Sequence, residues 1–387
     1  MGYRSPTAQG RGFCVTEHSS TSRETLADEF GQSIDPLAAL EPTFKETTVD
    51  PFQVFSEEVL NARNLSSATL GHFGYVFDEW RSHMYEMGRH PACPALEHVE
   101  AYIETQRAPK QEGGRGNTSR TIKEKLRKLN RAYQYWQADP VFPHEDGYNP
   151  FELAKKRVPL RVKKTKEHRK VTIPELRDMI ASVTSLRGRT LIMLQLKLGL
   201  RAGEVSNLRL EDCRLTESRT NEAYSNLGSH EALGTRSNLV YIPSRDERNG
   251  NKSVRPRLLP LDTELRSLLD RYLYARPKNG EPWLFLSKKS HTQMTVKGVN
   301  KVWKSNFHPE YAETDSYRPI TSHFGRHRFT TYWRVEQNLN RQLVKYLRGD
   351  RTGSFTNSSG IDAYLHAYYE DIEATYREKI YRLTQDV

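Results

Sequence analysis

Residues 199–212, which read GLRAGEVSNLRLED, mark a junction between two helices. The strongly apolar run at residues 191–198 predicts a helix that ends at Gly199, and a second helix should begin shortly after it. Arg201 therefore lies at the turn between two helix ends. A surface arginine at a helix terminus would give the same pattern. An arginine fixed in this place can, however, bind a phosphate with two hydrogen bonds if other cations converge on it.

Downstream, two short apolar segments predict a β-hairpin. Residues 238–243 read NLVYIP, residues 257–261 read RLLPL, and Asn249-Gly250 between them is a turn signal. Lys252 follows that turn, near the tip of the predicted hairpin. Most lysines in such places are simply exposed, so this residue alone indicates no function.

Residues 323–331, which read HFGRHRFTT, place a histidine and an arginine on one side of a predicted helix. His323 and Arg326 are three residues apart and therefore share a face. A cation beside a histidine disfavours a metal ion but suits an anionic substrate, for which one group transfers protons and the other binds charge. The remaining histidines and cysteines lack metal-ligand spacing, and we expect no metal site.

Three tyrosines compete for a role within residues 361–369, which read IDAYLHAYY. We expect a helix here that continues to about residue 383 and has one apolar stripe. On a helical wheel, Tyr368 and Tyr369 lie within about 60° of the centre of that stripe, whereas Tyr364 is nearly ~100° away. Core packing explains Tyr368 and Tyr369 but not Tyr364. Tyr364 is therefore the candidate nucleophile, and the other two are the alternatives.

Four motifs occur in the order in which one enzyme family carries them: Arg201, Lys252, His323 with Arg326, and Tyr364. Residues 199–212 resemble the first-arginine box of the tyrosine recombinase (phage integrase) family nearly residue for residue. Residues 323–331 resemble its His-x-x-Arg-His box, and residues 364–366 resemble the segment around its nucleophile. Lys252 stands where the family places its hairpin lysine. The resemblance covers roughly residues 50–385.

The resemblance implies a mainly α (α+β) fold, in which an N-terminal helical core-binding (SAM-like) domain precedes a tyrosine-recombinase catalytic domain with a small β-hairpin sheet. The first fifty residues hold 4 Lys/Arg and 8 Asp/Glu, and nine of the sixteen residues 155–170 are Lys or Arg. These changes in pattern predict a disordered acidic leader at residues 1–50, a helical core-binding DNA-binding domain at 51–150, an exposed basic linker at 151–170 and the catalytic domain with its C-terminal tail at 171–387.

Two long amphipathic helices are predicted in the first domain. An apolar stripe covers residues 70–87, with Ser66 or Ser67 as its N-cap. A second stripe covers residues 122–136, and the basic residues of that helix lie largely off its apolar face. They are Arg120, Lys123, Lys125, Arg127, Lys128 and Arg131. We expect this helix to lie along a phosphate backbone.

The resemblance also implies a reaction on DNA. Tyr364 would attack the scissile phosphate, giving a 3′-phosphotyrosine and a free 5′-hydroxyl. Arg201 and Arg326 would bind the non-bridging oxygens. Lys252 would protonate the leaving 5′-oxygen, and His323 would assist proton transfer. A 5′-hydroxyl from another strand would then rejoin the chain, so a site-specific recombinase of this kind needs neither ATP nor a metal, and no cofactor.

One position departs from the family. The family usually has Gly-His or Gly-Trp between the second arginine and the tyrosine, and that residue donates a hydrogen bond to the phosphate. Here residues 347–350 read LRGD, and an ionised Asp350 cannot donate. Either Arg348 or another nearby donor substitutes, or the tyrosine lies elsewhere. His327 fits the second histidine of the family, and we expect it to be mainly structural.

Composition is consistent with a polyanionic partner. The chain has 387 residues and a net charge of +11, which favours double-stranded DNA. No apolar run approaches the roughly 18–20 residues that a bilayer requires, and three distant cysteines form no disulfide framework. We therefore expect an intracellular, DNA-associated protein of the cytoplasm or nucleoid, without a membrane.

The resemblance implies a homo-tetramer on paired DNA sites, with accessory DNA-bending proteins as candidate partners. The segment after Tyr369 would dock onto a neighbouring subunit. Two other classes fit the same residues. One is a nicking-closing enzyme of the type IB topoisomerase kind, and the other is a catalytically impaired, integrase-derived DNA-binding protein.

Overall fold

The computed structural model describes residues 22–63, 65–161, 166–216, 220–350 and 369–384. Contacts divide the chain into two compact units, with the boundary between Lys164 and Thr165. Each unit has its own hydrophobic core. Helices make up most of both units, so the predicted fold class is confirmed. None of the helices in the described ranges has the length and apolar character that crossing a membrane requires.

The first unit is helical throughout its described part. Its α-helices are α1 (Ser22–Glu29), α2 (Glu41–Glu46), α3 (Pro51–Phe55), α4 (Ser67–Glu86), α5 (Leu96–Arg107), α6 (Ser119–Ala138) and α7 (Pro150–Arg157). Ser66 caps α4 by accepting a hydrogen bond from the N–H of Thr69, as predicted. The apolar stripes of α4 and α6 meet in the core, where Trp80 and Trp136 are fully buried.

The N-terminal boundary differs from the expectation. Leu37 and Phe44 are buried in the core of the first unit. Arg89 forms ion pairs with Asp35 and Glu41. The prediction of a disordered leader is therefore wrong for this part of residues 1–50, because two apolar side chains and two carboxylates attach it to the domain. Residues 1–21 lie outside the described part.

The basic face of α6 also differs. Lys125 is buried, and its Nζ lies 2.5 Å from Glu79 Oε2 and 2.8 Å from Gln106 Oε1. Lys128 is buried as well, whereas Lys123 remains exposed. Two of the lysines that were expected to contact phosphates thus pack inside the unit. Lys125 pairs with Glu79, and the ammonium group of Lys128 lies 5.4 Å from the centre of the Phe73 ring.

The expected basic linker is structured at both ends. At its start, Phe151 and Ala154 of α7 are buried in the first unit. At its end, the Glu167 N–H donates to Ser316 O at 2.8 Å and Arg169 donates to Ala312 O at 2.9 Å, which fixes this part to the second unit. The prediction of an exposed run over residues 151–170 is therefore wrong at these positions. Apolar side chains are buried at its start, and backbone hydrogen bonds hold its end, although most of its basic residues are exposed on the surface.

The second unit contains α8 (Ile173–Ser182), α9 (Leu186–Leu198), α10 (Ala202–Asn207), α11 (Thr263–Ala275), α12 (Val296–Phe307), α13 (Ser322–Thr331), α14 (Arg341–Arg348) and α15 (Tyr369–Lys379). In its described part, a three-stranded antiparallel sheet has the order β1 (Cys213–Arg214), β2 (Leu239–Ile242), β3 (Arg257–Pro260). Strands β2 and β3 pair with Leu239 opposite Pro260, as the hairpin prediction requires. Helix α9 is buried along most of its length and packs against α11, α12 and α13.

The C-terminal segment packs on its own chain. Ile372 and Tyr376 of α15 are buried, and the Tyr376 hydroxyl donates to Lys197 O at 2.8 Å. Beyond the helix, the Tyr381 hydroxyl donates to Leu196 O at 2.6 Å. Residues 369–384 therefore cover α9 of the same protomer, and their docking onto a neighbouring subunit stays a prediction.

Candidate active site

Arg201 is held at the turn between α9 and α10, as the sequence predicts. Gly199 ends α9 with a φ of 64°, a conformation that favours glycine. A Cβ atom there would lie 2.5 Å from Cδ1 of Phe329 on α13, so this close packing requires glycine. The backbone N–H of Arg201 donates to Glu204 Oε2 at 2.8 Å. The arginine side chain thus starts from a fixed backbone.

Arg326 reaches the same turn from α13. Its side chain is buried, with 4% exposed, and its Nη1 donates to Gly199 O at 2.8 Å. Its Nη2 donates to the carbonyl oxygen of Arg348 at 2.9 Å. Burial, with the nearby Arg201, lowers the pKa of Arg326 to about 9. A buried cation beside a second cation favours the binding of a negatively charged group.

The two arginines meet at one carboxylate oxygen. Arg201 Nη2 lies 2.7 Å, and Arg326 Nη2 lies 2.8 Å, from Oδ1 of Asp350. The second oxygen of Asp350 lies 2.8 Å from Nε of Arg348. Within the described residues, three guanidinium groups therefore surround one carboxylate. A cluster of guanidinium groups of this kind is suited to an anion, and Arg348 brings a cation to the position where the sequence departs from the family.

A buried glutamate supports the arginine pair. Glu204 accepts from Arg201 Nη1 at 3.1 Å and from Arg257 Nη2 at 3.0 Å. Burial alone would raise the pKa of Glu204, but Arg257, Arg326 and Arg201 lower it to about 2. The Ser253 hydroxyl also donates to this carboxylate and accepts from Arg201 Nη1 at 3.2 Å. Glu204 is thus ionised at neutral pH and orients the guanidinium of Arg201.

Lys252 is exposed between two anchored neighbours. On one side, Asn251 is buried and donates to Pro243 O at 2.8 Å. On the other side, Ser253 bonds to the arginine cluster. The structure therefore fixes the backbone on either side of Lys252, whose side chain is exposed.

Three histidines form a cluster. His323 Nε2 lies 2.9 Å from His327 Nε2, and the ring of His168 contacts that of His327 with centroids 3.8 Å apart and planes tilted by 34°. Desolvation, with His168 and Arg326, lowers the pKa of His323 below its ordinary value. Desolvation and the two neighbouring histidines lower the pKa of His327 to about 4. Both rings are therefore neutral at pH 7, and His323 can accept a proton. No group of His, Cys, Asp and Glu side chains in the described part is arranged to hold a metal ion.

Of the three candidate tyrosines, only Tyr369 lies in the described part of the chain. Tyr364 and Tyr368 lie outside the described residues. Tyr369 begins α15 and is buried with Leu239 and Tyr241, and burial raises its pKa. Core packing thus explains Tyr369, as the helical wheel predicts, and this buried phenol is poorly suited to nucleophilic attack.

The model of the phage integrase family matches residues 166–370, which is more than half of the chain. The chain belongs to the phage integrase family. The resemblance that the four motifs carry is confirmed at this level, and an integrase of this family is an enzyme that cleaves and rejoins DNA strands. No curated protein sequence matches the chain significantly.

Solved integrase structures share the fold. A Tn1549 transposon integrase in complex with transposon right end DNA is 17% identical with a TM-score of 0.53, covering 85% of this chain and 99% of the other. A lambda integrase dimer bound to a COC′ core site is 13% identical with a TM-score of 0.55, covering 92% and 84% respectively. A Tn1549 integrase in complex with a circular intermediate DNA is 17% identical with a TM-score of 0.51, covering 86% and 99%. At these identities, the structural similarity shows that this chain has the fold of these integrases, and nothing beyond the fold.

The sequence pattern did not predict three residues of this integrase site. Ser253 and Arg257 contact Glu204, and the signal for Arg257 was a charged residue at the start of an apolar strand. His168 contacts the ring of His327, but it lies in a run that is dominated by basic residues. Nothing in that run distinguishes it from the solvated residues around it.

Proposed function

We propose that this integrase is a site-specific recombinase that cleaves duplex DNA through a 3′-phosphotyrosine at Tyr364 and then rejoins it. The observation that carries the proposal is the meeting of Arg201 and Arg326 at one oxygen, Asp350 Oδ1, at 2.7 and 2.8 Å. Carboxylate and non-bridging phosphate oxygens accept charge-assisted hydrogen bonds in the same way, so the same two Nη2 atoms suit a phosphodiester.

The reaction needs charge stabilisation at the phosphorus centre. As the Tyr364 oxygen attacks, negative charge grows on the non-bridging oxygens, and the two guanidinium groups are already oriented towards it. Glu204 and the carbonyl of Gly199 hold those groups in place, so little reorganisation accompanies the step.

Two further groups move the protons. The neutral ring of His323 accepts the phenol proton of Tyr364, while the bond between phosphorus and the 5′-oxygen breaks. Lys252 donates the proton that the leaving 5′-oxygen takes up. Its side chain is exposed, and the neighbours Asn251 and Ser253 hold the backbone from which it extends. Rejoining by another 5′-hydroxyl reverses these steps and releases Tyr364.

Duplex DNA is the substrate in this proposal. The exposed Lys123 and Arg120 of α6 offer the first unit a surface for phosphates. Exchange between two duplexes requires four strand cleavages, which we assign to a homo-tetramer on paired sites. Accessory DNA-bending proteins would assist in aligning those sites.

The test is covalent capture on a nicked suicide substrate built from the DNA that flanks the gene. Wild-type protein should form a protein–DNA adduct, whereas Tyr364→Phe should form none and still bind the DNA. Tyr274 is 79% exposed on α11, so Tyr274→Phe is the matched control and should react normally. An adduct that persists in Tyr364→Phe would place the nucleophile elsewhere.

The same proteins separate the alternative classes. Relaxation of a supercoiled plasmid that lacks any cognate site would favour the topoisomerase-like enzyme. A wild-type protein that binds the flanking DNA but forms no adduct would favour the impaired DNA-binding protein.

A further inference from the structure

The backbone of Asp350 is held in place at the end of α14. Gly349 ends α14 with a φ of 65°, and the N–H of Asp350 donates to Lys345 O at 3.0 Å. A Cβ atom on Gly349 would lie 2.3 Å from Nη1 of Arg257, so the backbone packs closely against the support of the arginine pair. The end of α14 therefore directs Asp350 back towards Arg201.

The position of Asp350 conflicts with phosphate binding. Both Arg201 and Arg326 use Nη2 to bind the same Oδ1 atom, and these are the donors that a phosphate would need. Two negatively charged groups at contact distance repel each other, so the carboxylate and a phosphodiester cannot share these donors. The side chain of Asp350 is 27% exposed, which leaves it room to move outward.

We propose that Asp350 is an autoinhibitory group that occupies the phosphate site in the DNA-free protein and must leave it before cleavage. Arg348 provides the retained partner, because its Nε lies 2.8 Å from Oδ2, the oxygen that is turned away from the pair. The inference rests on the proposed role of Arg201 and Arg326 as phosphate ligands. It makes cleavage depend on DNA that is bound tightly enough to displace the carboxylate.

The kinetic test is single-turnover adduct formation by Asp350→Asn. When the competent state is only a fraction of the population, the apparent dissociation constant rises by the inverse of that fraction. A site that is occupied nine-tenths of the time would thus give about 10-fold tighter half-saturation by DNA once the carboxylate is removed. Asp350→His, which introduces a donor, should show the same gain. The control is Glu222→Gln, which removes one exposed carboxylate and should change nothing.

A second readout does not depend on cleavage. Inorganic phosphate, titrated calorimetrically into Tyr364→Phe/Asp350→Asn, should bind at least about 10-fold more tightly than to Tyr364→Phe. Arg326→Lys in the same background should abolish the gain. Circular dichroism checks that each variant is folded.

The outcomes separate the two proposals. If no variant forms an adduct but phosphate binding increases, the proposed cleavage fails, while the occupation of the phosphate site by Asp350 is supported. If the wild type cleaves while folded Asp350→Asn and Asp350→His are slower and gain no phosphate affinity, the inference is overturned, and Asp350 orients the arginines instead.

Discussion

Replacing Glu204 by Gln should destabilise the second unit strongly without changing its shape. The carboxylate is 1% exposed and accepts hydrogen bonds from Arg201, Arg257 and Ser253. Glutamine keeps the volume but offers one acceptor oxygen and brings an amide donor against these donors. Arg257, itself 3% exposed, would be left without its counter-charge.

The magnitude follows from two separate routes. The pKa of Glu204 falls from an ordinary 4.5 to about 2 in the folded protein. A pKa difference of one corresponds to about 1.4 kcal/mol, so ionised Glu204 contributes about 3 kcal/mol to the free energy of unfolding at pH 7. Removing one partner of a buried ion pair costs about 3–5 kcal/mol in other proteins, which agrees.

The assay is hydrogen–deuterium exchange of the full chain, followed on the amides of α9. This helix is buried in the second unit, so its exchange reports the opening of that unit alone. Protection should fall by about 100-fold in Glu204→Gln at pH 7. Because the folded-state pKa is depressed, the stabilisation is complete above about pH 4.5 and is lost as the pH falls towards 2. The difference between the two proteins should therefore shrink over that range.

The control is an exposed ion pair of the same unit. Lys166 Nζ lies 3.0 Å from Glu313, whose side chain is 59% exposed, so Glu313→Gln should cost less than about 1 kcal/mol. A loss of protection in Glu204→Gln no larger than in Glu313→Gln would mean that the buried carboxylate contributes nothing beyond a surface charge.

Three further changes test other parts of the site. Lys252→Ala should slow adduct formation by about 10²–10⁴-fold, and a substrate with sulfur as the leaving atom should restore it, because a thiolate leaves without a proton; failure of that rescue would remove Lys252 as the acid. His168→Ala should relieve the desolvation of His323 and remove one neighbouring charge, so the pKa of His323 should rise towards its ordinary 6.5. The acid limb of the pH profile of cleavage should then move to higher pH. An unchanged profile would mean that His168 does not affect the pKa of His323. Gly199→Ala should lower the free energy of unfolding far more than Gly280→Ala. Gly280 has a φ of 79°, so alanine there has the same backbone cost of about 1–2 kcal/mol, but its Cβ atom would meet nothing within 4 Å. Equal losses of unfolding free energy would contradict the packing against Phe329.

Local pattern predicted the parts of the site that depend on neighbouring residues in the chain. The end of α9 at Gly199 and the shared face of His323 and Arg326 follow from helix geometry alone. The pairing of β2 with β3 follows from two apolar segments and a turn. These features need only the sequence within one element and its ends.

Features that depend on distant contacts could not be predicted in this way. Asp350 was recognised as a missing donor, but its position between Arg201 and Arg326 depends on how α14 ends against the sheet. Lys125 looked like a surface cation because its partner, Glu79, lies on another helix. For the same reason, the sequence did not predict the burial of Leu37 or the contact of His168 with His327.

Mapping the tyrosine that becomes linked to DNA decides between the candidate nucleophiles. Trypsin cleaves after Arg351 and Arg377, so one peptide, residues 352–377, contains four tyrosines. After capture on a suicide substrate and nuclease digestion, fragmentation of this peptide in a mass spectrometer should place the residual nucleotide on Tyr364. A nucleotide on Tyr368, Tyr369 or Tyr376, or an adduct outside this peptide, would contradict the account.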